Sequence, residues 1–106
     1  MITSFKSLIA RLSEQRERKC LVVVWPHDAH TVDAVFRALR EGWVSLLLVG
    51  QRESMPLPAD WEEYADRIAF EYATDAADAA RLAVRAVREG RAQAMMKALI
   101  NTDVLL

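Results

Sequence analysis

Leu21-Val22-Val23-Val24-Trp25, closed by Pro26, is the stretch that decides the fold. Every position in the run is apolar, three are β-branched, and no polar residue alternates with them. A strand of that kind is buried on both faces, and such strands belong to parallel sheets covered by helices. Pro26 has no amide hydrogen for a ladder and ends the run. The pattern recurs at Val44–Val49, closed by Gly50, and more weakly at Ile68–Tyr72. Ala94-Met95-Met96-Lys97 reads as a short fourth strand.

Helical periodicity fills the intervals. Phe5, Leu8, Ile9 and Leu12 predict an opening amphipathic helix capped by Thr3 or Ser4. Between the first two strands, Thr31 is the expected N-cap, and Val32, Val35, Phe36 and Leu39 form the apolar stripe. Asp33 in the first turn and Arg37 and Arg40 near the last suit the helix dipole, and Gly42 supplies the stop. Residues 51–58 read as a loop containing Pro56 and Pro58, and Asp60 with Glu63 reads as a capping pair for a short helix through Tyr64. Asp75 or Thr74 caps a longer helix with an inner face of Ala76, Ala79, Ala80, Ala83, Val84 and Val87, ended by Gly90. Asn101 or Thr102 opens a further helix.

Helices alternating with strands imply βαβ units with right-handed crossovers onto a parallel sheet. The expected fold class is therefore α/β: a three-layer αβα, mostly parallel, Rossmann-like arrangement spanning residues 1–106 as one segment. Ile100, Val104, Leu105 and Leu106 are apolar, and a lone turn of helix is not stable by itself. The expectation is an incomplete domain, with more chain to follow.

Composition narrows the function classes. The chain is 53% hydrophobic and 27% charged with a net charge of −1, which fits a globular protein. No basic field invites nucleic acid or an anionic membrane, so neither is an expected partner. Cys20 is the only cysteine, so no intrachain disulfide forms; it opens an apolar run and reads as a buried structural thiol. Lys6, Arg11, Glu14 and Arg16 interrupt the N-terminal stretch, and no apolar run is long enough to span a bilayer. The expected location is the cytoplasm.

Ligands of parallel α/β sheets bind beyond the carboxyl ends of the strands. The first strand is followed by His27, Asp28 and His30, the second by Gly50, Gln51 and Arg52, the third by Thr74 and Asp75. Asp28 and His30 are weaker site candidates. With His27 they offer metal-binding or acid/base groups, yet their spacing matches no specific ligand signature, and Asp28 also suits a turn or a cap. No metal site is expected. The fourth end carries Lys97, with Asn101 and Thr102 at the start of the next helix, where free N–H groups and the helix dipole favour phosphate. Read alone, Asn or Thr before a helix is more often a cap, and Lys97 equally suits a solvated strand end. Three glycines, Gly42, Gly50 and Gly90, allow neither a G-x-G-x-x-G nor a Walker A loop.

Several stretches, in order, resemble the phosphate acetyl/butyryltransferase family, its butyryltransferase-like branch in particular. They are His30-Thr31-Val32-Asp33-Ala34-Val35 through Arg40-Glu41-Gly42, then Leu46-Leu47-Leu48-Val49-Gly50, and most clearly Ala79 to Leu106 with Met95-Met96-Lys97-Ala98-Leu99-Ile100-Asn101-Thr102. The resemblance implies reversible acyl transfer between coenzyme A and inorganic phosphate. It also implies a two-domain α/β enzyme with an interdomain active site, of which this chain matches the start. Acyl-CoA and phosphate would be the substrates, no covalent cofactor would be bound, and a homo-oligomer is expected. Lys97, Asn101 and Thr102 would bind phosphate, with the base for the thiol in the remainder of the enzyme. Ala98 stands where the family usually has glycine, and alanine restricts the positive φ and close approach that glycine allows. The competing readings are a binding module that keeps the fold without the chemistry, and a chain that assembles through its open sheet edge.

Overall fold

The computed structural model describes residues 19–97. The opening amphipathic helix and the helix expected from Asn101 or Thr102 lie outside the described residues. Within them, strand β1 (Lys19–Val24) leads into helix α1 (Ala29–Arg40), strand β2 (Val44–Gly50) and two 3-10 segments (Arg52–Ser54 and Trp61–Arg67). Strand β3 (Ile68–Tyr72), helix α2 (Ala76–Arg88) and strand β4 (Ala94–Lys97) follow. All pairings are parallel, in the order β3-β2-β1-β4.

The valine-rich run is central, as its lack of alternation requires. Leu21, Val22 and Val23 are fully buried between β2 and β4. Their side chains split the core into two layers. Leu21 and Val23 join Leu46, Leu48 and Met96 beneath Val32, Val35, Phe36 and Leu39 of α1. Val22 and Val24 join Leu47 and Val49 beneath Ala79, Leu82, Ala83 and Ala86 of α2. The chain steps outward from β1 to β3 and then returns past β1 to β4, so crossovers of one hand place α1 and α2 on opposite faces. The result is the expected three-layer αβα, Rossmann-like fold.

Four local expectations are corrected. β1 ends at Val24; Trp25 takes a left-handed φ of 54° while its N–H still donates to the Val49 carbonyl at 2.8 Å. The N-cap of α1 is Asp28, not Thr31: the extended Asp28 backbone lets its carboxylate accept from the Thr31 N–H at 2.9 Å. The helix thus starts earlier, Thr31 is buried in its first turn, and Asp33 falls outside that turn. Asp60 and Glu63 form no capping box. Asp60 instead takes a two-point contact from Arg40 (2.9 and 3.3 Å), and the segment beyond it is a 3-10 helix. Its Trp61 meets Phe70 edge-on at 5.8 Å, with the Arg52 guanidinium 4.7 Å from the Trp61 ring centre.

The fourth correction concerns α2. Asp75 is its cap, accepting from the Asp78 N–H at 2.8 Å, while Asp78 accepts from the Thr74 N–H at 3.0 Å. Its inner face is Ala79, Leu82, Ala83 and Ala86; Val84 and Val87 are exposed. Alanines lie on more than one side of this helix, so the stripe fits two rotations, and the one chosen buries Leu82, the largest apolar side chain it has. Gly42 stops α1 as expected, with φ +82°: its N–H reaches the Leu39 carbonyl and that of Trp43 the Ala38 carbonyl.

Cys20 is half-buried, and burial pushes its thiol pKa up, against a hydrogen bond with Ser45 and the charge of Arg91. A thiol held protonated fits a structural role. No helix among the described residues is long and apolar enough to cross a membrane.

Candidate functional site

The carboxyl ends of all the strands meet at one edge of the sheet. The strand order reverses there between β1 and β4: the chain leaves β1 toward β2 and later returns to its other side. In open α/β sheets such a reversal generally parts the connecting loops and leaves a crevice, the usual ligand position. The Val24↔Lys97 pair closes the β1–β4 ladder at this point. Lys97 is exposed, and no ion pair joins it to another described residue.

The β1–α1 loop forms the other border. Trp25 turns the chain, and the His27 N–H closes a tight turn onto the Trp25 carbonyl at 2.8 Å. The Trp25 and His27 rings stack with centres 3.9 Å apart. A non-glycine residue at positive φ is strained, and strain of this kind collects at functional positions. Asp28 follows. One of its carboxylate oxygens caps α1; the other, Oδ1, is buried without a hydrogen-bond partner among the described residues. His30 is exposed in the first turn of α1.

On the far side of β1 the loops are tied together. The Gln51 N–H donates to His27 Nε2 at 3.0 Å, so the neutral ring carries its proton on Nδ1. The Gln51 side chain donates to the Thr74 carbonyl at 3.3 Å, and the Ala73 N–H to the Gly50 carbonyl at 3.0 Å. Gly50 makes the first of these contacts possible. A Cβ at that position would lie 2.8 Å from His27 Nε2 and 3.3 Å from Met55 Cε. Burial lowers the His27 pKa, with the negative charge of Glu53 opposing it.

Of the sequence-derived candidates, Asp28 and Lys97 come to the same edge, Asp28 in the loop after β1 and Lys97 at the end of β4, the two strands that flank the reversal. His30 shares the edge but faces solvent. Lys97 follows the alternation of Met95 toward the α2 layer, whereas α1 begins on the opposite layer. Asn101 and Thr102 lie outside the described residues. Nothing in the sequence marks Trp25, His27, Gly50 and Gln51 as a unit. The available signal was Gly50: Gly42 and Gly90 end helices at positive φ, while Gly50 ends a buried strand with no such need. Among the described residues no group of three His, Cys, Asp or Glu is arranged to hold a metal.

A scan against protein-family models finds none that matches this chain, and a search of curated proteins finds no match either.

Proposed function

We propose that this chain forms the phosphate-facing part of an acyltransferase that moves an acetyl- or butyryl-like group between coenzyme A and inorganic phosphate. The observation that carries the reading is the position of Lys97: an exposed ammonium at the strand end beside the reversal in strand order. The resemblance of the stretch from Ala79 to Leu106 to phosphate acetyl/butyryltransferases supports the same assignment.

In the forward direction a phosphate oxygen attacks the thioester carbonyl carbon. A carbon–oxygen bond forms, the carbonyl oxygen takes up negative charge, and the carbon–sulfur bond then breaks. Coenzyme A leaves as the thiolate and gains a proton; acyl phosphate remains. Two anionic groups must be held together at the start, and a developing oxyanion stabilised midway, so fixed cations and N–H donors act on both. In this reading Lys97 orients phosphate, and Thr102 and the weaker Asn101 extend the cradle. The base for the thiol belongs to another part of the enzyme. A homo-oligomer acting in the cytoplasm on acyl-CoA and phosphate completes the assignment.

The test is a titration with inorganic phosphate followed by amide chemical shifts. Saturable shifts should centre on residues 24–28 and 97, and Lys97→Ala should weaken the affinity about tenfold, the scale of a charge-assisted contact. Absence of saturable shifts, or equal affinity in the Lys97→Ala protein, would overturn the reading. In this reading, the acyltransferase that contains this chain should release coenzyme A from butyryl-CoA only when phosphate is present.

A further inference from the structure

We propose that His27 is a positioning residue: its neutral imidazole latches the β1–α1 loop to the end of β2, protonation releases the latch, and occupancy of the adjacent crevice falls with it. The inference rests on the reading of that crevice as a phosphate site. It adds a means of regulation at a residue that does not itself contact phosphate.

The geometry is specific. His27 Nε2 accepts the Gln51 N–H at 3.0 Å. An imidazolium has a proton on both nitrogens and accepts nothing, so protonation sets two N–H groups against each other. The contact cannot simply be redrawn nearby. The ring edge carrying Nε2 and Cδ2 sits over Gly50, in space only a glycine leaves, and the ring stacks on Trp25. Moving the ring therefore moves Trp25, whose strained φ of 54° is held by this turn. Trp25 directly follows Val24, the partner of Lys97, so the latch acts on the border of the crevice.

The charged groups around this edge do not take over the role. Asp28, the next residue, caps α1, and Asp75 at the end of β3 caps α2. Lys97 stands on the other side of β1, at the end of β4. Glu53, from the 3-10 turn after β2, is the neighbour whose charge favours the proton, and burial of the ring opposes it. Burial prevails, so the latch is closed at neutral pH and opens on the acid side of the ordinary imidazole range.

The experiment has two separate readouts. Without ligand, exchange of the Gln51 amide hydrogen and the His27 ring nitrogen shifts are followed from about pH 8 to about pH 5. Gln51 should lose protection as His27 takes its proton. In His27→Gln the side-chain oxygen still accepts but does not titrate, and the step should vanish. Should that variant not fold, Gly50→Ala serves: Gln51 should be unprotected at every pH. Gln51 remaining protected while wild-type His27 titrates overturns the latch. Inorganic phosphate is then titrated over the same range. Phosphate gains a proton here too, but equally for both proteins. Wild-type affinity should therefore fall about three- to tenfold relative to His27→Gln, the effect of one lost hydrogen bond. A latch that opens with that ratio unchanged overturns the coupling, and wild-type affinity rising in acid shows His27 to be a phosphate-binding cation instead. Phosphate failing to bind either protein removes the phosphate site, while the Gln51 amide still decides the latch.

Discussion

The two sides of β1 end differently. Toward β2 and β3, the strand ends are joined through His27, Gln51, Thr74 and the Ala73–Gly50 bond. Toward β4, the described edge carries an exposed lysine with no ion pair to another described residue. Among the described residues the same sheet edge thus has a fixed half and an open half, divided where the strand order reverses. Backbone and side-chain donors satisfied within the protein are not available to a ligand; Lys97 is exposed and has no such partner among the described residues. The contrast is clearest at Gly50, the narrowest point of the fixed half. Gly50→Ala places a Cβ 2.8 Å from a ring nitrogen and crowds Met55, which is itself buried. The side chains must yield and the Gln51 N–H loses its acceptor, costing about 2–3 kcal/mol in denaturant unfolding. A cost below about 0.5 kcal/mol would show that the His27 contact adds little to the fixed half.

Asp28 tests the border between the halves. Its carboxylate satisfies an orphan N–H of α1, so Asp28→Ala should lower stability by about 1 kcal/mol, and Asp28→Ser should recover most of it. Asp28 also buries a second oxygen without a partner among the described residues. A buried unpartnered acceptor is destabilising, so part of the capping gain is offset. Asp28→Asn keeps an oxygen for the cap and sharpens this point. If it proves more stable than the native protein, the buried oxygen is a net burden retained for a reason other than folding.

Most of the fold is legible in the sequence because its signals are local. Leu21–Val24 names a doubly buried strand by composition, and Val32, Val35, Phe36 and Leu39 name the inner face of α1 by spacing; all are buried. The misread positions had competing physics. Trp25 is as apolar as its predecessors, and nothing in its type announces a left-handed turn. Asp28 and Thr31 are both good caps, and the choice fell to the residue whose backbone is extended. In α2 the alanines left the rotation open, and packing on β1 and β2 resolved it in favour of Leu82. The latch was not legible at all. It joins residues 24 positions apart, and its enabling feature is the absence of a side chain at Gly50. Lys97 was legible as a strand end, whereas its place beside the reversal follows from strand order, which no single segment encodes.

The smallest expected effect separates the His27 contact from the carboxylates held low by arginine and N–H partners. The folded pKa of His27 is lowered from the ordinary imidazole value of about 6.5, so in the window below that value the unfolded chain binds more protons than the folded one. The His27 contribution to stability is therefore complete above about pH 6.5 and is lost as pH falls through the folded value. Asp60, Asp78 and Glu89 are each lowered as well, by Arg40, by the Thr74 N–H together with Arg81, and by Arg85 with Arg91. Their contributions persist down to the carboxylate range and are lost only below it. Between these ranges, the difference in unfolding midpoint between the native protein and His27→Gln should narrow or reverse as pH falls, because only the native protein loses its acceptor to a proton. A difference that is constant with pH would place the folded and unfolded His27 pKa values together. The Gln51 contact would then stabilise the loop too weakly to distinguish the fixed half of the edge from the open one.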